Sequence, residues 1–335
     1  MTRWHWLLVA GMVAVALVPL TGARMGTFLA TDVAIWALFA VSLNILVGST
    51  GLVSFGHAAY FGIGAYAAGL LLKNGSVPFA VVLPLAGLFA AAFAVVVGFF
   101  CVRITKVYFS MLTLAFAQIA WALCLKLNAV TGGDQGLSGI PYPGFLKYLD
   151  GVPVIGAFDM GERFHVLVIV LVVAFLAIIH RILGSPFGRV LTMIRENPGR
   201  AEFVGVNVRR YQLAAFVIAG LFAGLAGALF AIFNRGMYPD LMYWTKSAEV
   251  LIMVVLGGMS RFYGPILGAF LLLWLNQEIT ALTEYWSLIV GLSLMALIFF
   301  LPGGVADLVE RFRRLWASRF GRAGGAPAAP RTGAP

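Results

Sequence analysis

The chain has 335 residues, 61% of them apolar and only 11% charged, with a formal net charge of +10. Soluble domains carry about 45–50% apolar and about 25% charged residues, and a water-soluble fold could not hide this much apolar surface. A soluble globular protein, a disordered chain and a nucleic-acid binder are thereby excluded. The basic excess fits instead the Lys and Arg that collect in the cytoplasmic loops of membrane proteins.

A helix needs about 20 mostly apolar residues to cross a bilayer. Ten candidate spans follow one another along the chain: residues 4–20, 28–47, 52–72, 79–102 and 108–125, then 164–180, 211–233, 249–258, 262–281 and 286–301. Charges inside them are confined to Asp32, Glu249 and Glu278. That scarcity is expected where each central charge costs roughly 2.5–3.5 kcal/mol. The first run follows Arg3 and has the shape of a cleaved leader, but no small-x-small site precedes Thr21, so it reads as a span. With the N-terminus in the cytoplasm, sixteen of the 23 basic residues fall on the cytoplasmic side and seven on the other.

The prediction is an all-α polytopic transmembrane helix bundle of nine to ten spans with both termini cytoplasmic. The membrane domain covers 1–316, with a long outside loop at 126–163 and a cytoplasmic loop at 181–210. Residues 317–335, rich in Gly, Ala and Pro, read as a disordered cytoplasmic tail. The eighth run has only eight apolar residues, 250–257, and predicts a short or broken helix that still crosses, shielded by its neighbours.

Glycines cluster in the third run (Gly51, Gly56, Gly62, Gly64, Gly69) and the seventh (Gly220, Gly224, Gly227). Small faces let helix backbones approach closely in lipid; the same faces would suit a helix that moves along a path. Cys101 and Cys124 both lie in apolar runs and read as unpaired. The four histidines are scattered, and no P-loop, metal-spaced cluster or Ser-His-Asp set is present, so the sequence predicts neither catalysis nor a metal site.

The cytoplasmic loop carries two helix-start signals, Ser185-Pro186 and Asn197-Pro198. The second helix is a stub that stops at Gly205, a natural left-handed cap residue, with Val206 as the apolar contact after it. A helix so short needs a surface to dock on. It is either a capped connector with a solvated basic face or a docking element. In the second case Phe203 and Val204 are apolar anchors and Arg195, Arg200 and Glu202 rim charges.

Five separated motifs, taken in order over about residues 30–310, resemble the permease subunits of branched-chain amino-acid ABC importers. They are Ser42-Leu43-Asn44-Ile45-Leu46-Val47-Gly48 through Ala65-Tyr66; Val130-Thr131-Gly132-Gly133-Asp134-Gln135-Gly136-Leu137; the loop motif Ile194-Arg195-Glu196-Asn197-Pro198 through Ala201-Glu202 to Gly205-Val206-Asn207; Glu249 through Gly258, ending in Tyr263-Gly264-Pro265-Ile266-Leu267-Gly268-Ala269; and Pro302-Gly303-Gly304. The long outside loop is similar to that of the larger of the two permease types. Arg200, where a small residue is commoner, is a departure.

The resemblance implies a multi-pass subunit of a bacterial inner membrane, sitting in the lipid bilayer. It would pair with a second homologous permease, two cytoplasmic ABC ATPases and an extracytoplasmic substrate-binding protein. The chain itself would bind no cofactor, with ATP on the partner subunits. Residues Arg195, Glu196, Asn197, Pro198, Gly199, Arg200, Ala201, Glu202, Phe203, Val204, Gly205, Val206 and Asn207 would form the ATPase-coupling loop. The family also handles urea, amides and small aromatic acids. An ion-coupled secondary transporter is the rival class, for which paired intramembrane acids and bases are expected.

A zwitterionic substrate wants an acid for its ammonium and helix N-terminal N–H groups for its carboxylate. Glu249, at the start of the short eighth run, either caps that run at the interface or lines the translocation path, for which it is the first choice. Asp32 either lines it or caps the second span beside Thr31. His57 either lines it or is a packed, hydrogen-bonded histidine.

Overall fold

A computed structural model of the chain describes residues 24–75, 77–104, 106–146 and 159–282, with 285, 288, 289, 291, 292, 295, 299 and 304–307. The first expected span and the tail lie outside the described residues, as does most of the tenth span. The other eight expected spans are helices. These are α1 (Arg24–Thr50), α2 (His57–Lys73), α3 (Phe79–Cys101) and α4 (Lys106–Lys126). A one-turn helix, α5 (Asn128–Thr131), follows α4, and then come α6 (Met160–Gly184), α7 (Pro186–Glu196), α8 (Pro198–Phe203) and α9 (Val208–Phe233). The last two are α10 (Trp244–Gly257) and α11 (Gly264–Leu282). Among the described residues, five helices are long and apolar enough to cross a membrane: α1, α3, α4, α6 and α9.

The core sits around α1 and α9, which are buried along most of their length, while α4 and α6 are peripheral. The outer face of α4 leaves Val107, Tyr108, Met111, Ile119 and Leu123 exposed, as a face turned to lipid or to another apolar subunit requires. α9 packs on α2, α3 and α1, and α1 packs in turn on α11, α6 and α10. The glycine faces serve these contacts. A Cβ on Gly64 would lie 2.1 Å from the Gly224 carbonyl oxygen, and one on Gly227 1.8 Å from that of Phe61. The α2–α9 contact is thus backbone on backbone. In the hairpin of α10 and α11, a Cβ on Gly268 would meet the Met253 carbonyl at 1.9 Å.

Two expected boundaries move. The third span begins at His57, not Leu52. Gly51, at φ +72°, closes α1 with a bond from Leu52 N–H to the Leu46 carbonyl (3.3 Å), and residues 51–56 run back without helical structure. That segment is held by protein: Ser110 Oγ donates to the Val53 carbonyl at 2.7 Å, and Gly56 lies against the Thr113 carbonyl. The eighth span starts at Trp244 and gains a polar first turn, giving 14 residues, about 21 Å of helix.

The loop from α4 to α6 is tied to the loop from α9 to α10. Strands β1 (Leu137–Ser138) and β2 (Gly236–Met237) pair antiparallel, and Ile140 N–H donates to the Arg235 carbonyl at 3.1 Å. α6 opens on a capping box, Asp159 with Glu162, four residues before the apolar run. Both cysteines are buried and free.

Candidate functional site: a helical stub and a charged cluster at opposite ends of α1

The α7–α8 loop folds by its own local signals. Asn197 caps α8, its Oδ1 accepting from Arg200 N–H at 3.0 Å, and Pro198 occupies the first helical position. The end of α8 is a paired-bond cap: Val206 N–H reaches the Ala201 carbonyl (3.1 Å) and Gly205 N–H the Glu202 carbonyl (2.9 Å). Gly205 has φ +86°, the left-handed region that this cap demands. Asn207 repeats the capping for α9, accepting from Arg210 N–H at 3.2 Å. Ser185 behaves otherwise: it stands at the N-cap of α7, but its hydroxyl donates back to the Ile182 carbonyl at 2.6 Å.

The surface that seats the stub is internal. Ala201 is fully buried with Ile194 and Val208, flanked by Val190, Met193, Val206 and Tyr211. This leaves Phe203 94% exposed and Val204 72% exposed at the tip. Glu196, Gly199, Arg200 and Glu202 are exposed around them. Arg195 departs from its expected place as a rim charge. It turns inward, and Nη1 donates to the Gly48 carbonyl oxygen of α1 at 2.5 Å. Carbonyls in the last turn of a helix lack partners within it, and a cation there also suits the helix dipole.

The structure brings Asp32 and Glu249 to one place, near the other end of α1. Neither starts a helix. Asp32 lies eight residues into α1, and its neighbour Thr31 donates to the Thr27 carbonyl (2.7 Å) and meets His165 Nδ1 (2.6 Å). Glu249 lies in the second turn of α10, and Lys246 Nζ donates to its Oε2 at 2.6 Å. The Lys246 ammonium stands 5.7 Å from the centre of the Trp36 ring, and Asp32 feels the charges of both Lys246 and Glu249. The cluster carries two acids and one base. Asp32 also lines a cavity of about 590 Å³ between α1 and α11, with Asn276, Gln277 and Glu278.

His57 is not in that cluster. It is fully buried at the start of α2, stacked on Phe39 (centroids 5.3 Å apart) and bonded through Nε2 to Ser42 Oγ at 2.9 Å. Sequence reasoning missed Trp36, Lys246 and the Arg195 tie. The first two were legible in principle: carrying the eighth helix back through Trp244 places Lys246 one turn before Glu249.

Residues 25–299 match the family model described as the permease component of the branched-chain amino acid transport system. The chain belongs to that family. Its relatives include the high-affinity branched-chain amino acid transport system permease protein LivM of Escherichia coli, 33% identical over 318 residues, 90% of this chain and 75% of the relative. The probable LivM of Methanocaldococcus jannaschii is 26% identical, covering 70% of this chain and 75% of its own. A more divergent cargo appears in the autoinducer 2 import permease LsrC of an Enterobacter species, 30% identical over 86% of this chain and 80% of the relative. No solved structure matches. As a permease of this family the chain is a membrane-embedded transport subunit, in keeping with its long apolar helices.

Proposed function

We propose that this chain is the transmembrane permease subunit of an ATP-driven importer that moves branched-chain and similar hydrophobic amino acids into the cytoplasm by alternating access. The family match across residues 25–299, with LivM relatives spanning most of the chain, carries this reading. The partners are a second, homologous permease, two cytoplasmic ATPases and an extracytoplasmic binding protein; ATP is bound and hydrolysed on the ATPases. In this reading the chain crosses a bacterial inner membrane ten times, with both termini and the α7–α8 loop on the cytoplasmic side.

In this reading α8 is the coupling stub. Support comes from its tip: an aromatic ring and a valine held out in water are costly unless a partner covers them, and the Ala201 anchor leaves them free to be covered. The Asp32–Glu249 cluster belongs to the translocation path at the end of α1 away from the stub, where its net negative charge draws in a substrate ammonium on entry. Ionisable side chains at membrane depth are rare, and they mark substrate and ion pathways.

The test is uptake of radiolabelled leucine by proteoliposomes holding the chain with its partner subunits. Uptake should require ATP and a co-purifying ATPase. Uptake by this chain alone without ATP would overturn the reading. Ligand binding by the cognate binding protein, across amino acids, urea, amides and aromatic acids, assigns the cargo.

A further inference from the structure

The start of α2 has no side chain of its own to cap it, because its N-cap residue is Gly56. The Ala58 N–H donates instead to Ser247 Oγ at 2.8 Å, from the first turns of α10. Two helix N-termini therefore meet inside the bundle, each bearing a partial positive charge. Ser54, His57 and Ser247 are each 0% exposed there. α2 carries no acid, and the one acid of α10, Glu249, is engaged by Lys246. Two positive ends facing each other away from water repel, and an anion between them relieves the repulsion.

The histidine adds the opposite polarity. Ser42 Oγ donates to the Phe39 carbonyl at 2.6 Å, so it accepts from the His57 Nε2–H at 2.9 Å. His57 is then the Nε2–H tautomer, and Nδ1 is a bare acceptor on the ring edge nearest the backbone of the first residue of α2. Neither Nδ1 nor Ser54 Oγ has a protein partner among the described residues. Buried polar atoms are nearly always matched, so both are open to a partner beyond the described residues.

We propose that the α2–α10 junction is the polar-head subsite of the translocation path and takes an α-amino acid zwitterion. Its carboxylate is held by the Ala58 N–H and the Ser54 and Ser247 hydroxyls, and its ammonium by His57 Nδ1. Carboxylate and ammonium hang from one carbon, so the donors and the acceptor must be neighbours; here they lie on one five-residue stretch and the helix that meets it. An acid without an amine, or an amine without an acid, fills half of this set. In the present conformation Ser247 Oγ stands in for a carboxylate oxygen on Ala58 N–H, and substrate displaces it when α10 moves from α2. The inference rests on the importer reading.

The test is leucine uptake per ATP hydrolysed by the complete reconstituted importer, with assembly followed by co-purification of all subunits. His57→Leu should lower this ratio at least tenfold, and His57→Gln, whose amide oxygen restores an acceptor, should recover a substantial part of it. Ser54→Ala, the loss of one buried hydroxyl, should lower it severalfold in an assembled complex; it carries the test if His57→Leu fails to assemble. An unchanged ratio in Ser54→Ala, or in assembled His57→Leu, would mean that the junction is packing or holds structural water, and overturns the proposal. The functional reading fails separately, if the unaltered complex moves no amino acid.

Discussion

Phe203 is the most exposed large apolar residue among those described, at the tip of a stub held in place by Ala201. Because it packs on little within the chain, Phe203→Asp should change the stability of the subunit by less than about 0.5 kcal/mol. It should nonetheless abolish co-purification with the ATPase, since a charge would enter an apolar contact. Gly205→Val acts differently. Nothing lies within 4 Å of the added Cβ, so there is no clash; the cost is the φ of +86°, about 1–3 kcal/mol for a β-branched residue. The cap at the end of α8 should open, and transport should uncouple while the binding protein still captures substrate. Uptake measured beside ligand binding checks this. Retained uptake at the normal rate would argue against the docking role.

At the scale of the element, the helices that a bilayer demands were legible because their signal is apolar length, and the stub was legible because its caps are local: Asn197, Pro198 and Gly205 act within a few residues of themselves. The polar beginnings were not. The first turn of α10 reads Trp244-Thr245-Lys246-Ser247, which no apolar scan includes, so apolar length alone starts the helix at Glu249. Apolar length makes α2 five residues too long because Leu52, Val53 and Phe55 are apolar, although their backbone is not helical. The Arg195 bond to Gly48 spans 147 positions in the chain, and no local pattern announces it. Glycine packing had two open readings, and close approach is what the elements show. Gly227→Ala would press a methyl onto the Phe61 carbonyl, 1.8 Å from its Cβ, and α2 would have to move off α9. A loss of about 1–3 kcal/mol is expected, read as a lower melting temperature in detergent.

At the scale of the whole molecule, the net charge of +10 is spread unevenly over the loops, and the proposed orientation reads it as a map of sides. The loop with α7 and α8 holds Arg189, Arg200, Arg209 and Arg210 exposed, while the loop from α4 to α6 is joined by strand pairing to the one before α10. The two buried native cysteines leave a quiet background for labelling. In right-side-out vesicles an impermeant thiol reagent should modify Gln135→Cys at once and Glu202→Cys only after permeabilisation. The reverse pattern would overturn the proposed orientation.

Arg195 closes α7 and takes hold of a carbonyl in the last turn of α1. With the packing of α7 on α1, that bond ties the loop to α1; in the proposed reading the stub is then the handle and α1 the connecting rod. A helix of 27 residues is about 40 Å long and stiff along its axis, so a stroke delivered at one end arrives at the other. Near the far end, Asp32 and Trp36 face Lys246. Arg195→Ala removes this tie and leaves the packing of α7 on α1. The assembled importer should go on hydrolysing ATP while uptake per ATP falls severalfold, a slipping clutch rather than a stalled motor.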